Sequence, residues 1–216
     1  MTIRAVIFDM DGVLVDAKEL HYEALNQALH LFGFTISRSK HLARYDGLPT
    51  RTKLDMLSQE TALPRSLHGF INRMKQCYTV RLARAHLSPN AEHIHALRKL
   101  RQDGLVVGLA SNSIRASIHD MIGLVGLSEY FSFMLSNEDV ARPKPDPDIY
   151  LRALALARVR ADECLVIEDN PFGIQAARSA GTHVLPVSGV EDVTYERIHQ
   201  AIEAAHRLPA PRRHAA

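Results

Sequence analysis

Short apolar runs, each too brief for a helix, recur along this chain and alternate with segments of helical periodicity. Ile3 to Phe8 is rich in β-branched residues and reads as a buried strand closed by Gly12. Leu105 to Ala110, a short run near Phe133 to Leu135, Cys164 to Ile167 and His183 to Val187 repeat the pattern. Between them lie helical segments at Ile114 to Leu124, Asp146 to Ala157 and Phe172 to Ser179. Strand and helix in alternation restrict the fold to a parallel sheet covered by helices on both faces. The expected class is therefore α/β, a Rossmann-like doubly wound parallel sheet.

One stretch breaks the rhythm. Directly after the first strand, Ala17 to Phe32 places Leu20, Ala24, Leu25, Ala28, Leu29 and Phe32 at helical spacing. Thr52 to Leu57 and Leu67 to Leu82 continue in the same manner, and nothing alternates with period two. Residues 17–86 thus read as an all-helical cap inserted into an α/β core formed by residues 1–16 and 87–216. Ser88-Pro89-Asn90 then opens a helix with Ala91, Ile94, Leu97 and Leu100 on one face, ended by Gly104. The tail, residues 208–216, is rich in Pro, Arg and Ala and is expected to fray.

Composition narrows the function. The net charge is +2 and the basic residues are scattered, which argues against a nucleic-acid partner. Only Cys77 and Cys164 occur, so a disulfide framework is not expected. The amino terminus lacks a signal-like run and no apolar stretch approaches membrane-spanning length, so a cytoplasmic chain without a membrane partner is expected.

Polar clusters sit where these strands end. Asp9 and Asp11, two apart behind the first strand, occupy the edge at which open α/β sheets bind ligands, and they are costly there without a cation or reacting partner. Ser111-Asn112 follows the second strand; a hydroxyl and backbone N–H groups at a helix start suit a phosphate, although an N-cap has the same look. Arg142-Pro143-Lys144-Pro145-Asp146-Pro147 reads as a stiff extended segment that fixes the direction of Lys144, with a solvated lysine as the alternative. Glu168-Asp169-Asn170 follows the apolar Leu165-Val166-Ile167. Two acids there suit a hard cation such as Mg²⁺, and helix capping by Asp169 or Asn170 is the alternative.

In order and content these clusters resemble the four motifs of the haloacid dehalogenase superfamily. The matching segments are residues 8–16, Ala110-Ser111-Asn112, residues 144–150 and residues 167–177. The helical block lies where the β-phosphoglucomutase-like phosphatases insert their cap. The resemblance implies Asp9 as a nucleophile that forms an aspartyl-phosphate. It implies Asp11 as acid and base. Mg²⁺ would be held by Asp9, the backbone carbonyl of Asp11, and Asp169, with Glu168 in or just behind that shell. Ser111 and the backbone around Asn112 would bind the phosphoryl group, and Lys144 would neutralise charge.

The cap positions match less closely. His21 stands where phosphoglucomutase-like members carry a histidine, and Asp46-Gly47-Leu48-Pro49-Thr50-Arg51 looks like their specificity loop. Gly47 would permit close backbone approach, and Arg51 would reach an anionic or hydroxylated substrate. The mutases place their arginine at the position of Thr50, and Ala17 replaces a hydroxyl residue common there. Lys75 lies near a cap lysine of the family. The expected activity is a Mg²⁺-dependent phosphomonoesterase acting, as a monomer, on a small sugar-like phosphate. A β-phosphoglucomutase-type mutase and a non-catalytic binding protein are the alternatives, while a true dehalogenase has no use for Asp11.

Overall fold

The structure, a computed structural model, describes residues 2–207. Its centre is a parallel sheet of β1 (Ala5–Phe8), β2 (Val106–Ala110), β3 (Phe133–Leu135), β4 (Cys164–Glu168) and β5 (His183–Pro186), ordered β3-β2-β1-β4-β5. The most apolar strand is thus the central one. Its residues are buried on both faces, which is why the run is continuous instead of alternating. Val6 and Phe8 point into one apolar layer with α5 (Ala91–Gln102), α6 (Arg115–Leu124) and α9 (Tyr195–Arg207). Ala5 and Ile7 point into the other, with α7 (Asp148–Ala157) and α8 (Pro171–Ser179). Helices on both faces are what the strand–helix alternation predicts.

Between β1 and β2 the chain forms α1 (Lys18–His30), α2 (Arg38–Arg44), α3 (Thr50–Glu60) and α4 (His68–His86), with no strand among them. These helices close over a separate apolar cluster that includes Leu25, Leu29, Leu54, Leu57 and Ile71. Because this cluster does not draw on the sheet, the block has its own reason to hold together. Where it meets the core, Ser117 Oγ on α6 donates to Gln76 Oε1 on α4 at 2.7 Å.

Several local expectations are corrected. On α5, Ala91 is exposed and His93 is buried instead, its Nε2 lying 2.9 Å from the Val190 carbonyl. The segment around Lys144 is a turn and not an extended rod. Asp146 N donates to Pro143 O, the Lys144–Pro145 peptide is cis, and α7 starts only at Asp148. Two helices had no counterpart in the sequence reading. α2 buries only His41 and offers no apolar period, whereas α9 buries Ile198, Ile202 and Ala205 at helical spacing. The expected fraying of the tail concerns residues 208–216, which lie outside the described residues.

Candidate active site

The parallel sheet brings the carboxyl ends of β1, β2 and β4 side by side, and backbone bonds fix their relative heights. Asp9 N donates to Ile167 O at 3.0 Å, and Ser111 N donates to Leu135 O at 3.0 Å. After Asp9 the chain folds back tightly, with Gly12 N donating to Val15 O at 2.7 Å. Gly12 has φ +86°, and a Cβ there would stand 2.2 Å from Asp169 Oδ2. Only glycine lets the first loop pass this close to the acidic strand end.

Lys144 joins the strand ends. Its Nζ is 2.6 Å from Asp9 Oδ1, 2.6 Å from Glu168 Oε1 and 2.9 Å from the Ala110 carbonyl. All three side chains are buried. Burial works against the Lys144 ammonium, but Asp9 and Glu168 outweigh it and hold its pKa well above the ordinary lysine value. The Asp9 carboxyl is pushed up by its own burial, with Glu168 adding to the effect and Lys144 opposing it. Asn112 positions the lysine: its Oδ1 accepts from Lys144 N at 3.0 Å, and its Nδ2 donates to Lys144 O and to Gly47 O. The same amide therefore ties the helical block to the core. Gly47 itself (φ +72°) packs so closely on Asn170 that a Cβ would lie 2.5 Å from Nδ2.

Asp11 faces a different set of groups. His21 Nε2 lies 3.0 Å from its Oδ1, and Ser113 Oγ donates to Oδ2 at 2.9 Å. Lys75 Nζ stands 3.0 Å from His21 Nδ1. An ammonium can only donate, so Nδ1 accepts and Nε2 carries the proton toward Asp11. Burial favours a neutral Asp11, yet His21, Ser113 and Lys75 outweigh it and hold the carboxyl below its usual range. Burial, with Lys75 behind it, pushes the His21 pKa down, in keeping with a neutral ring.

Asp9, Glu168 and Asp169 bring carboxylate oxygens within 4.8 Å of one another. Their bonding differs. Glu168 Oε1 accepts from Lys144 and, at 2.8 Å, from the Tyr150 hydroxyl; its Oε2 accepts from the backbone N–H groups of Asp169 and Asn170. Both Asp169 oxygens are buried: Lys18 Nζ pairs with Oδ2 at 2.6 Å, and Oδ1 has no partner. A buried carboxylate oxygen without a hydrogen bond is what a hard divalent cation satisfies. The donor set thus fits Mg²⁺, with Asp9 and Asp169 available to it and Glu168 already saturated behind them.

These groups open into one cavity of about 600 Å³ between the sheet edge and the helical block. Asp9, Asp11, Ser111, Asn112, Lys144 and Glu168 line it from the core; His21, Gly47, Arg51 and Lys75 line it from the block. Asp169 is not in its wall but lies directly beneath, its side chain 1% exposed. All the residues singled out in the sequence therefore fall at one place. Sequence reasoning missed Lys18, Lys53, Ser113 and Tyr150. Ser113 could have been found two residues after Ser111, and Tyr150 stands in a motif already quoted. Lys18 and Lys53 sit in no motif, and their position follows only from how α1 and α3 pack.

The chain belongs to the haloacid dehalogenase-like hydrolases, whose family model matches residues 6–187. Within that family it groups with the β-phosphoglucomutase-like phosphatases. It is 31% identical over 179 residues to a phosphorylated carbohydrates phosphatase of Thermotoga maritima, covering 83% of this chain and 82% of that protein. It is 28% identical to the β-phosphoglucomutase of Bacillus subtilis, covering 93% of this chain and 96% of that one. A crystal structure of β-phosphoglucomutase from Clostridium difficile shares the fold with a TM-score of 0.79 at 23% identity, over 94% of this chain and 98% of that chain. Among the described residues no helix is long and apolar enough to cross a membrane.

Proposed function

We propose that this protein is a Mg²⁺-dependent phosphatase of small, sugar-like phosphate monoesters, working through an aspartyl-phosphate, with residues 17–86 as a substrate-selecting cap. The observation that carries the reading is the division of labour between two aspartates two residues apart. Asp9 is clamped by Lys144 beside Asp169, whose Oδ1 is without a partner, whereas Asp11 is linked to His21 and Ser113. The phosphatase relative from Thermotoga maritima supports the substrate class.

The chemistry follows from those surroundings. An Asp9 oxygen attacks phosphorus while the bond to the ester oxygen breaks, and Asp11 delivers a proton to that leaving oxygen. Water then attacks the phosphorus of the aspartyl-phosphate, Asp11 takes the proton, and the bond to Asp9 breaks to release phosphate. Asp11 must be protonated for the first half and ionised for the second. Its depressed pKa suits the second, and a phosphate dianion entering beside it raises that pKa toward what the first requires. Lys144 offsets the charge of nucleophile and phosphate at once. Ser111, whose Oγ accepts from Ser113 N at 3.0 Å, and the adjoining backbone N–H groups face the transferring group. Mg²⁺ held by Asp9, the Asp11 carbonyl and Asp169 would supply further positive charge against the developing negative charge.

The test is phosphate release from a panel of sugar and small-metabolite phosphates, with and without Mg²⁺, including β-glucose 1-phosphate followed as glucose 6-phosphate. Steady Mg²⁺-dependent release on a narrow group of esters is expected. Isomerised sugar phosphate with little free phosphate would make the protein a mutase like its Bacillus subtilis relative, with Thr50 at the position of the mutase arginine.

A further inference from the structure

Lys53, on α3, is a buried lysine in the wall of the cavity, with 8% of its surface exposed. Among the described residues its ammonium makes neither a hydrogen bond nor an ion pair, the backbone N–H alone donating to Pro49 O. Asp46 and Asp11 act on it only from a distance, and burial pushes its pKa down to about 8. Its neighbour in charge is a second buried lysine, Lys75 on α4, 7% exposed and also in the cavity wall. Burial and then Lys53 push the Lys75 pKa down to about 7. Lys75 has a neutral partner in His21, and Lys53 has none. Among the described residues Asp46 is the one acid that the block contributes to this cavity, against Lys53, Lys75, Arg51 and Lys18, the last already paired with Asp169.

Two ammonium groups buried in one cavity wall, repelling each other and without a carboxylate in contact, are costly, and the protein does not neutralise them itself. An anion arriving from the cavity does. It would be desolvated on arrival, where a charge-assisted contact is strongest. The reacting phosphate cannot be that anion, because it belongs over Asp9 and Lys144 at the sheet edge. Lys75 is set back from Asp11 by one imidazole ring and two hydrogen bonds of 3.0 Å, a gap that a small carbon skeleton bridges. On α4 with Lys75, Asn72 Oδ1 is buried without a partner in the same cavity wall, an acceptor suited to a hydroxyl of that skeleton.

We infer that the substrate carries two anionic groups on a short hydroxylated skeleton, one reacting at Asp9 and the other, a phosphoryl or carboxylate group, held by Lys53 and Lys75 of the cap. This rests on the phosphatase reading for the first group and is independent of it for the second. Lys53 acts here as a specificity-determining residue, since it touches the part of the substrate that does not react. Holding two cations without an anionic partner in the free protein makes an empty cap intrinsically less comfortable than a filled one, and a substrate with one anion leaves them uncompensated.

Binding to the Asp9→Asn protein in Mg²⁺ by calorimetry separates the possibilities, using glucose 6-phosphate, glucose 1,6-bisphosphate and 6-phosphogluconate as probes. At least one doubly anionic probe should bind roughly 10- to 100-fold more tightly than glucose 6-phosphate, as expected for a contact between charged groups. Preference for the bisphosphate names a phosphoryl group, and preference for 6-phosphogluconate a carboxylate. Adding Lys53→Met should collapse the ratio toward one, while Lys53→Arg should keep most of it. Equal affinity for all three probes would overturn the inference, and so would a preference that survives Lys53→Met. Phosphate release by the wild-type protein is scored separately. Release without discrimination sinks the second-anion site alone, whereas discrimination without release sinks the hydrolase reading and leaves the site standing.

Discussion

The two walls of the cavity are built on opposite electrostatic plans. On the core side every buried charge is matched: Lys144 bridges Asp9 and Glu168 at 2.6 Å each, Tyr150 completes Glu168, and Lys18, reaching over from the start of α1, answers Asp169. On the cap side Lys53 and Lys75 are buried without any carboxylate in contact. A matched set holds its geometry before substrate arrives, which is what catalysis by preorganised charge requires. An unmatched set stores affinity for a ligand at the expense of the free protein's stability. On the proposed reading, the contrast assigns the common chemistry to the core and the choice of substrate to the cap.

The largest effect should come from breaking the core wall at its centre. Asp9→Asn removes the proposed nucleophile while keeping the shape of the side chain, so turnover should fall by at least roughly a thousandfold. The melting temperature should stay nearly unchanged, because Lys144 keeps Glu168 as a partner. Retention of more than a few per cent of activity would remove Asp9 from that role. Asp11→Asn should be milder and selective. General acid catalysis contributes roughly 10²- to 10⁴-fold, and alkyl esters need the proton more than aryl esters do. Comparing an alkyl phosphate with p-nitrophenyl phosphate checks this, and an equal loss on both would count against Asp11 as the acid.

Lys144→Met tests whether the matched wall is a stability device as well as a catalytic one. It leaves two buried carboxylates facing each other and should destabilise the protein by about 3–5 kcal/mol, as when one partner of a buried pair is removed. Adding Glu168→Gln should recover much of the melting temperature and none of the activity. If Lys144→Met melts like the wild type, the cluster is better hydrated than its burial implies.

How far the sequence shows this contrast depends on which wall is read. The core wall was legible because a parallel sheet turns distant positions into neighbours by rule: each of Asp9, Ser111 and Glu168 stands at or just after the end of a continuous apolar strand, so a one-dimensional pattern maps onto one edge. Lys144 was legible from its motif, but its backbone was not. Three prolines suggested an extended rod, whereas the bonds between Lys144 and Asn112 hold a turn. The cap wall was less so. α1, α3 and α4 have ordinary apolar faces, and nothing in a helical period tells which polar residue of the opposite face overlooks a cavity. His21, Gly47 and Lys75 came from family resemblance, while Lys53 came from neither source. α2 escaped because its one buried residue is a histidine.

The smallest effect is the most direct probe of the unmatched wall, and its sign is opposite to the usual one for losing a buried side chain. Lys53 titrates near 8 in the folded protein against an ordinary value of 10.5. Below about pH 8 it is protonated in folded and unfolded chains alike, so the full penalty of burying the charge is present. Between the two values the unfolded chain holds a proton that the folded one has released, and stability rises with pH. Lys75, lowered to about 7, acts in the same direction. Tyr45 and Cys164, both pushed up to about 12, oppose this, but only once their unfolded forms begin to ionise. Urea unfolding of wild type and Lys53→Met side by side at about pH 7 and about pH 9 cancels those opposing contributions and isolates Lys53. Lys53→Met should be more stable than the wild type at the lower pH, by up to about 3 kcal/mol for a shift from 10.5 to about 8 at the scale of about 1.4 kcal/mol per pKa unit. That advantage should shrink at the higher pH, as the wild type sheds the charge that the methionine never had. A variant less stable than wild type at both values would mean that Lys53 has a partner in the free protein, and the two walls would then follow one plan.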